Sequence, residues 1–288
     1  MRQDVELISP EAQHIPELGR ICYEAFRHVS EGHGFERDFP DAETAAKVIG
    51  LILSLPGSFG VAARIDNRLA GSNFMLLTDG VAGVGPITVD PACHGRGIGR
   101  RLMQAALDYA REHGFEQVRL LQDSFNTVSL SLYASLGFDV REPVGMMQAG
   151  PAAEPDVTVR PARAGDLAAL EELCVRFYKV SRRNELAAWT RCGIPVLVRE
   201  RDGRMRGYLV PGKMGHGVAE EEADALALIG QIPRHAPPDL AFFFCPLRNT
   251  SLYRATLRSG CRLSKVMNVM TLGPYEKPSP VWMPSIAF

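Results

Sequence analysis

Apolar residues Ile15, Leu18, Ile21, Cys22 and Phe26 recur at three- and four-residue steps, the spacing of a helix with one buried face. The stretch from Ser9 to about Gly34 therefore reads as helical. Ser9-Pro10-Glu11 offers it a cap, a first-turn proline and an early acid. "GFERDF" breaks the pattern, and a second helix is expected from near Asp41 to about Leu53. The period then changes. "FGVAARID" and "RLAGSNFMLLTD" read as two strands about the turn Asp66-Asn67, and "VAGVGPITVD" as a third. A glycine-rich loop follows, then a long helix to about His113 and the strand "QVRLLQD". A short helix from Asn126 to Leu136 ends at Gly137, and "FDVREPVGMMQ" closes the set.

After "AGPAAEPD", a small, proline-containing linker from Ala149 to Asp156, the order starts again. "VTVRPARAGDLAALEELCVRFY" matches "VELISPEAQHIPELGRICYEAF" in kind: short strand, polar turn with proline, amphipathic helix. "IPVLVRERDGRMRGYLVP" repeats the hairpin about Asp202-Gly203. "NTSLYRATLRSGC" echoes "NTVSLSLYASLGF", each with a glycine, Gly260 or Gly137, eleven residues after its asparagine. Two homologous α/β domains are expected, 1–148 and 156–288.

Composition narrows the partners. The formal charge is −1, which gives no overall field for nucleic acid or an anionic membrane. The amino end carries charges early and lacks the apolar segment of a signal peptide, and no window is apolar enough to span a bilayer. Six cysteines lie far apart without Cys-x-x-Cys spacing, so neither a disulfide framework nor a metal site is expected. A cytoplasmic protein, monomeric or homodimeric, is the expectation these features leave.

The chemistry concentrates between His94 and Arg101, which hold three glycines and three arginines between a strand and a helix. Gly95, Gly97 and Gly99 let backbone come close to a ligand. The loop amides and those of the first helical turn form a cradle for oxyanions. The Gly-x-Gly-x-Gly series comes late in its domain, behind a hairpin, and ends in Arg100-Arg101. It fits neither a Rossmann fingerprint nor a Walker loop. Phosphate binding of another kind and a plain glycine turn with solvated arginines both remain open on these residues.

The segment resembles the acetyl-coenzyme-A-binding motif of the GNAT superfamily of N-acetyltransferases, Gln/Arg-x-x-Gly-x-Gly/Ala, with His94 at the usual Gln or Arg. A second family motif follows at the right distance: Asn126, Ser129, Leu132-Tyr133 and Gly137-Phe138. The resemblance implies two tandem GNAT folds, each a mixed, mainly antiparallel sheet flanked by helices. It implies acetyl-CoA as acyl donor and no metal. Its coenzyme contacts would be Ile87, Thr88, Val89, His94, Gly95, Arg96, Gly97, Ile98, Gly99, Arg100, Asn126, Ser129 and Tyr133. Tyr133 would protonate the departing thiolate, and the Val89 amide would steady the thioester carbonyl.

By the same resemblance the acceptor lies against the first helices and their connection, where Tyr23, Glu24, Phe26, Arg27, His28, Glu31, His33, Phe35 and Phe39 stand. Glu24 and His28 are candidate bases, with His33 an alternative, and a small-molecule amine is the expected acceptor. A protein amine and a non-catalytic acyl-CoA-binding role are the competing readings. The second half has "VPGKMGHGVAEEEADALALIG" in place of the loop and Thr256 at the offset of Tyr133. It is therefore expected to be a degenerate domain with a structural or substrate-lid role. The apolar tail with Trp282, Met283, Ile286 and Phe288 is expected to pack between the domains or on a partner subunit.

Overall fold

The computed structural model describes residues 5–278 and 281–286. It resolves into two compact units. Among the described residues, one comprises the chain up to Leu120 together with Phe125–Leu136; the other takes Leu121–Ser124 and the chain from Gly137 to Ile286.

In the first repeat, β1 (Glu6–Ile8) leads to α1 (Ile15–Gly32) and α2 (Ala42–Ser54). Then come β2 (Ser58–Ile65), β3 (Arg68–Leu76), β4 (Ala82–Val89), α3 (Ile98–Glu112), β5 (Val118–Asp123) and α4 (Thr127–Ser135). Strands β1 to β4 pair antiparallel in chain order, and β4 pairs parallel with β5. The expected turn holds: Asp66 and Asn67 both take positive φ, 48° and 65°, the conformation that matches strand twist in a two-residue hairpin. The expected cap at Ser9 does not. Glu11 and His14 form a reciprocal capping box around a short 3-10 turn, and α1 begins at Ile15 with Pro16 in its first turn. Leu18, Ile21 and Cys22 are buried from α1, each aliphatic chain contributing about 2 kcal/mol.

The second sequence repeat runs through the same order. Its elements are β7 (Val159–Pro161), α5 (Leu167–Leu173) with a π-helical turn to Tyr178, and α6 (Arg183–Arg191). They continue with β8 (Leu197–Arg201), β9 (Arg204–Leu209), β10 (Gly217–Ala219), α7 (Glu222–His235), β11 (Phe242–Pro246), α8 (Thr250–Arg258) and β12 (Arg262–Leu272). Asp202 and Gly203 again turn the hairpin with positive φ. The strand that closes the first repeat, β6 (Asp139–Gln148), lies in this second unit, paired antiparallel with β11 on one edge and β12 on the other.

The tail differs from expectation. Val281–Met283 forms a further strand, β13, paired with β10 inside the second unit. Trp282 and Met283 are buried. Phe288 lies outside the described residues.

Gly71 and Gly207 show how closely the two hairpins correspond. A Cβ on Gly71 would stand 2.5 Å from the Thr88 carbonyl oxygen, and one on Gly207 2.8 Å from that of Val218. Both contacts are too short for any real side chain. Asp90 N–H donates to Ala70 and Glu220 N–H to Arg206, at 2.9 and 2.8 Å. These contacts set Val89 against Ala219, and Ile87 against Gly217, as equivalent positions.

Candidate active site

The site begins where β4 runs out of partners. Its pairing with β5 covers Ala82↔Val118 and Gly83↔Arg119 among the described residues. On the other edge the register with β3 continues through Asn73↔Ile87, Ser72↔Thr88 and Gly71↔Val89. Because Asp90 donates to Ala70, the two-residue alternation of an antiparallel ladder turns Thr88 backbone groups toward β3. Those of Ile87 and Val89 face away from β3. Of the three predicted residues, Ile87 and Val89 thus present main-chain groups to the open side. Thr88 is buried, and its hydroxyl has no hydrogen-bond partner among the described residues.

The glycine loop follows at once. Asp90 accepts from the Ala92 amide at 3.0 Å and from Arg20 at 3.1 Å. Burial works to raise its pKa, yet the Ala92 amide and Arg20 together hold it below the usual aspartate value. His94 Nε2–H donates to the Val89 carbonyl, 3.1 Å away; a carbonyl can only accept, which fixes the tautomer. Gly95 and Gly97 have φ of 76° and 75°, and a Cβ at either would meet nothing within 4 Å. Backbone conformation, not crowding, calls for glycine there, and the space outside the loop is open.

Gly97 is the N-cap of α3, and no side chain among the described residues caps that helix. Arg101 N–H closes the first turn onto the Gly97 carbonyl, so the amides of Ile98, Gly99 and Arg100 precede the first intrahelical bond. With the positive end of the helix dipole behind them, these donors suit a diphosphate. The Ile98 side chain is buried with Leu102, Val61 and Ala63, so it anchors the loop and only its amide can face a ligand. Arg100 donates to Ser135 at 2.7 Å, bracing α3 against α4. Arg96 is exposed.

Asn126 caps α4, its Oδ1 accepting from the Ser129 amide at 3.1 Å, and Ser129 Oγ donates back to the Asn126 carbonyl. Tyr133, seven residues after Asn126, is buried.

On the α1 side the candidates separate. Glu24 is paired with Arg27 at 2.6 Å, and Arg27 also reaches Glu31. Arg37 joins Glu31 and donates to the Tyr23 hydroxyl. Among the described residues His28 carries no ion pair of this kind; its ring meets the His94 ring edge-on at 6.0 Å. His33 donates from Nδ1 to Val29 at 2.8 Å and leans on Phe125. Phe35 stacks on Phe125 at 4.1 Å. Phe26 packs edge-on against Phe39 instead. Sequence reasoning missed Phe125, Asp90 and Arg20; the only signal for Phe125 was its place beside Asn126.

A β4 edge opened beside β5, a glycine turn into an uncapped helix, and an asparagine-capped helix behind it define the acetyltransferase fold of the GNAT type. Residues 20–138 match the acetyltransferase (GNAT) family. A mycothiol acetyltransferase of Clavibacter sepedonicus is 37% identical over 83 residues, 29% of this chain and 27% of that protein. The chain thus matches well under half the length of that relative. An acetyltransferase-type protein from Pyrococcus horikoshii superposes with a TM-score of 0.77 at 16% identity, covering 96% of this chain and 91% of its own. A tandem GNAT protein from the clavulanic acid biosynthesis pathway does so with a TM-score of 0.60 at 12% identity, covering 95% and 100%. These two show the fold, including the repeated order. Among the described residues no helix is long and apolar enough to cross a membrane.

Proposed function

We propose that the protein is an acetyl-CoA-dependent N-acetyltransferase that acetylates the amine of a small molecule by direct transfer in a ternary complex. The observation that carries this reading is the pair of outward-facing residues Ile87 and Val89, ending in a cradle of loop and helix amides. Curated relatives that match 18–29% of the chain are mycothiol acetyltransferases, which favours a small, mycothiol-like acceptor over a protein amine.

Acetyl-CoA would supply an acetyl group already activated as a thioester. The amides of Gly95 to Arg100 would hold its diphosphate. Ile87 and Val89 would align its arm along β4. Val89 N–H would donate to the carbonyl oxygen as negative charge grows there. His28 would take the proton of the attacking amine, and Tyr133 would give one to the departing sulfur. Glu24, held by Arg27, would shape the acceptor wall together with Phe35 and Phe125.

The first repeat, 1–148, carries this chemistry in the proposal, and the second, 156–288, serves as scaffold or substrate lid. Three observations support a second repeat without a coenzyme site. Eight residues, 90–97, separate β4 from α3, whereas only Glu220 and Glu221 separate β10 from α7. Glu221 is the N-cap of α7, where its charge opposes an arriving diphosphate. Thr256 is buried, and its hydroxyl donates to the Tyr253 carbonyl. The test is thiol release from acetyl-CoA against a panel of amines that includes sugar amines, amino acids and polyamines. Acetylation of at least one small amine is expected. Tight acetyl-CoA binding with no acceptor would favour a sensing role.

A further inference from the structure

In the first unit, the backbone groups of Ile87 and Val89 face away from β3 toward the open edge of the sheet. Their equivalents in the second unit, Gly217 and Ala219, also turn away from their hairpin partner, because Glu220 donates to Arg206 and Val210 to His216. There the edge is filled. Gly217 pairs with Met283, Val218 with Trp282 and Ala219 with Val281. Val281 and Met283 are buried in the core cluster with Phe243, Cys245 and Leu209, and the Trp282 ring stands edge-on to Tyr178 at 5.4 Å.

The end of this segment has its own polar anchor. Arg182 is fully buried and pairs with both oxygens of Glu185, at 2.6 and 2.9 Å. It also donates to the Tyr178 hydroxyl at 3.2 Å and to Ser285 Oγ at 2.8 Å. Ile286 N–H donates to the Lys213 carbonyl at 2.9 Å. Main-chain pairing, alternating apolar side chains and a charged anchor at one end make up recognition of an extended peptide by strand addition.

We infer that the second unit's equivalent of the acyl-donor edge is a peptide-binding cleft whose occupant is the chain's own Val281–Ile286. The cleft takes a strand with apolar residues at alternate positions and a hydroxyl two residues beyond the second of them. It is closed to coenzyme, so each chain takes one coenzyme, in the first unit. The inference rests on the proposed site of the first unit only for the equivalence of the two edges. Its readout is peptide binding, which a failure of acetyl transfer leaves unmoved.

The test is a chain ending at Pro278, titrated with the peptide Val-Trp-Met-Pro-Ser-Ile and, separately, with coenzyme A. The shortened chain is expected to bind the peptide one to one, and, like the intact chain, is expected to bind one coenzyme. The intact chain should bind the peptide about a hundredfold more weakly, because its own segment competes at high effective concentration. A folded shortened chain that ignores the peptide, or that takes a second coenzyme, overturns the inference. Should the shortened chain fail to fold, the full chain with Val218→Cys and Trp282→Cys decides. A disulfide between these two positions under mild oxidation, found by mass spectrometry, supports the docked strand; its absence overturns it.

Discussion

His94 Nε2 and the carbonyl oxygen of Val89 are 3.1 Å apart, and this bond ties the glycine loop to the strand whose open edge it extends. The family's usual residue at that place is Gln or Arg, so the imidazole here fills the position with a donor that closes the turn. His94→Ala should raise the Kd for acetyl-CoA about fivefold, the loss of roughly 1 kcal/mol for one hydrogen bond, with kcat little changed. His94→Gln should recover most of the affinity. Isothermal titration of both variants, beside steady-state kinetics, checks this. A fall in kcat at unchanged Kd would move His94 into the chemistry.

Gly97 and Gly99 should respond differently to the same added methyl group. Gly97 caps α3 at φ 75° with open space around it, so Gly97→Ala meets only backbone strain, about 1–2 kcal/mol. Roughly a tenfold loss of coenzyme affinity is expected. Gly99 lies inside α3, and its Cβ would meet Leu132 at an ordinary 3.5 Å, so Gly99→Ala should bind coenzyme within about twofold of the native chain, since no strain of that kind arises. Equal losses at both positions would count against the loop geometry.

The second unit should lose stability as pH falls, and His216 should be one source. Burial, then the charge of Arg182, hold its pKa well below the usual histidine value. Tyr208 lies 3.0 Å from Nδ1 and Glu185 3.7 Å from Nε2. The unfolded chain protonates this histidine near pH 6.5 while the folded chain does not. Stability is therefore full above about 6.5 and falls below it by up to about 1.4 kcal/mol per pH unit. Urea unfolding at pH 7.5, 6.5 and 5.5 measures the slope. His216→Gln should flatten it by about one proton, whatever its effect at neutral pH.

Much of this arrangement could be read from local sequence because local rules governed it. Asp66-Asn67 and Asp202-Gly203 are turns that their own residues specify. Asn126 and Asn249 both cap helices, as their position before a Thr and an apolar run implied. What depended on distant pairing was not legible. Nothing in "VWM" says that it will lie on Gly217–Ala219, and nothing in "FDVREPVGMMQ" says that it will pair with β11 and β12. The start of α1 was misplaced because Ser9-Pro10-Glu11 looks like a cap. The reciprocal bonds of Glu11 and His14 prevail, and the helix starts at Ile15. The glycine-rich connection between β4 and α3 was legible as a loop from its spacing. The division of labour between Ile87, Thr88 and Val89 needed the register with β3.

The most direct measurement is a comparison of Tyr133→Phe with the native protein by acetyl-CoA titration and by thiol release with an acetylated amine. The account predicts unchanged coenzyme affinity and a kcat lower by about 10²–10⁴, the usual contribution of a positioned proton donor. Full turnover by the phenylalanine variant would contradict the role given to Tyr133 in the first unit.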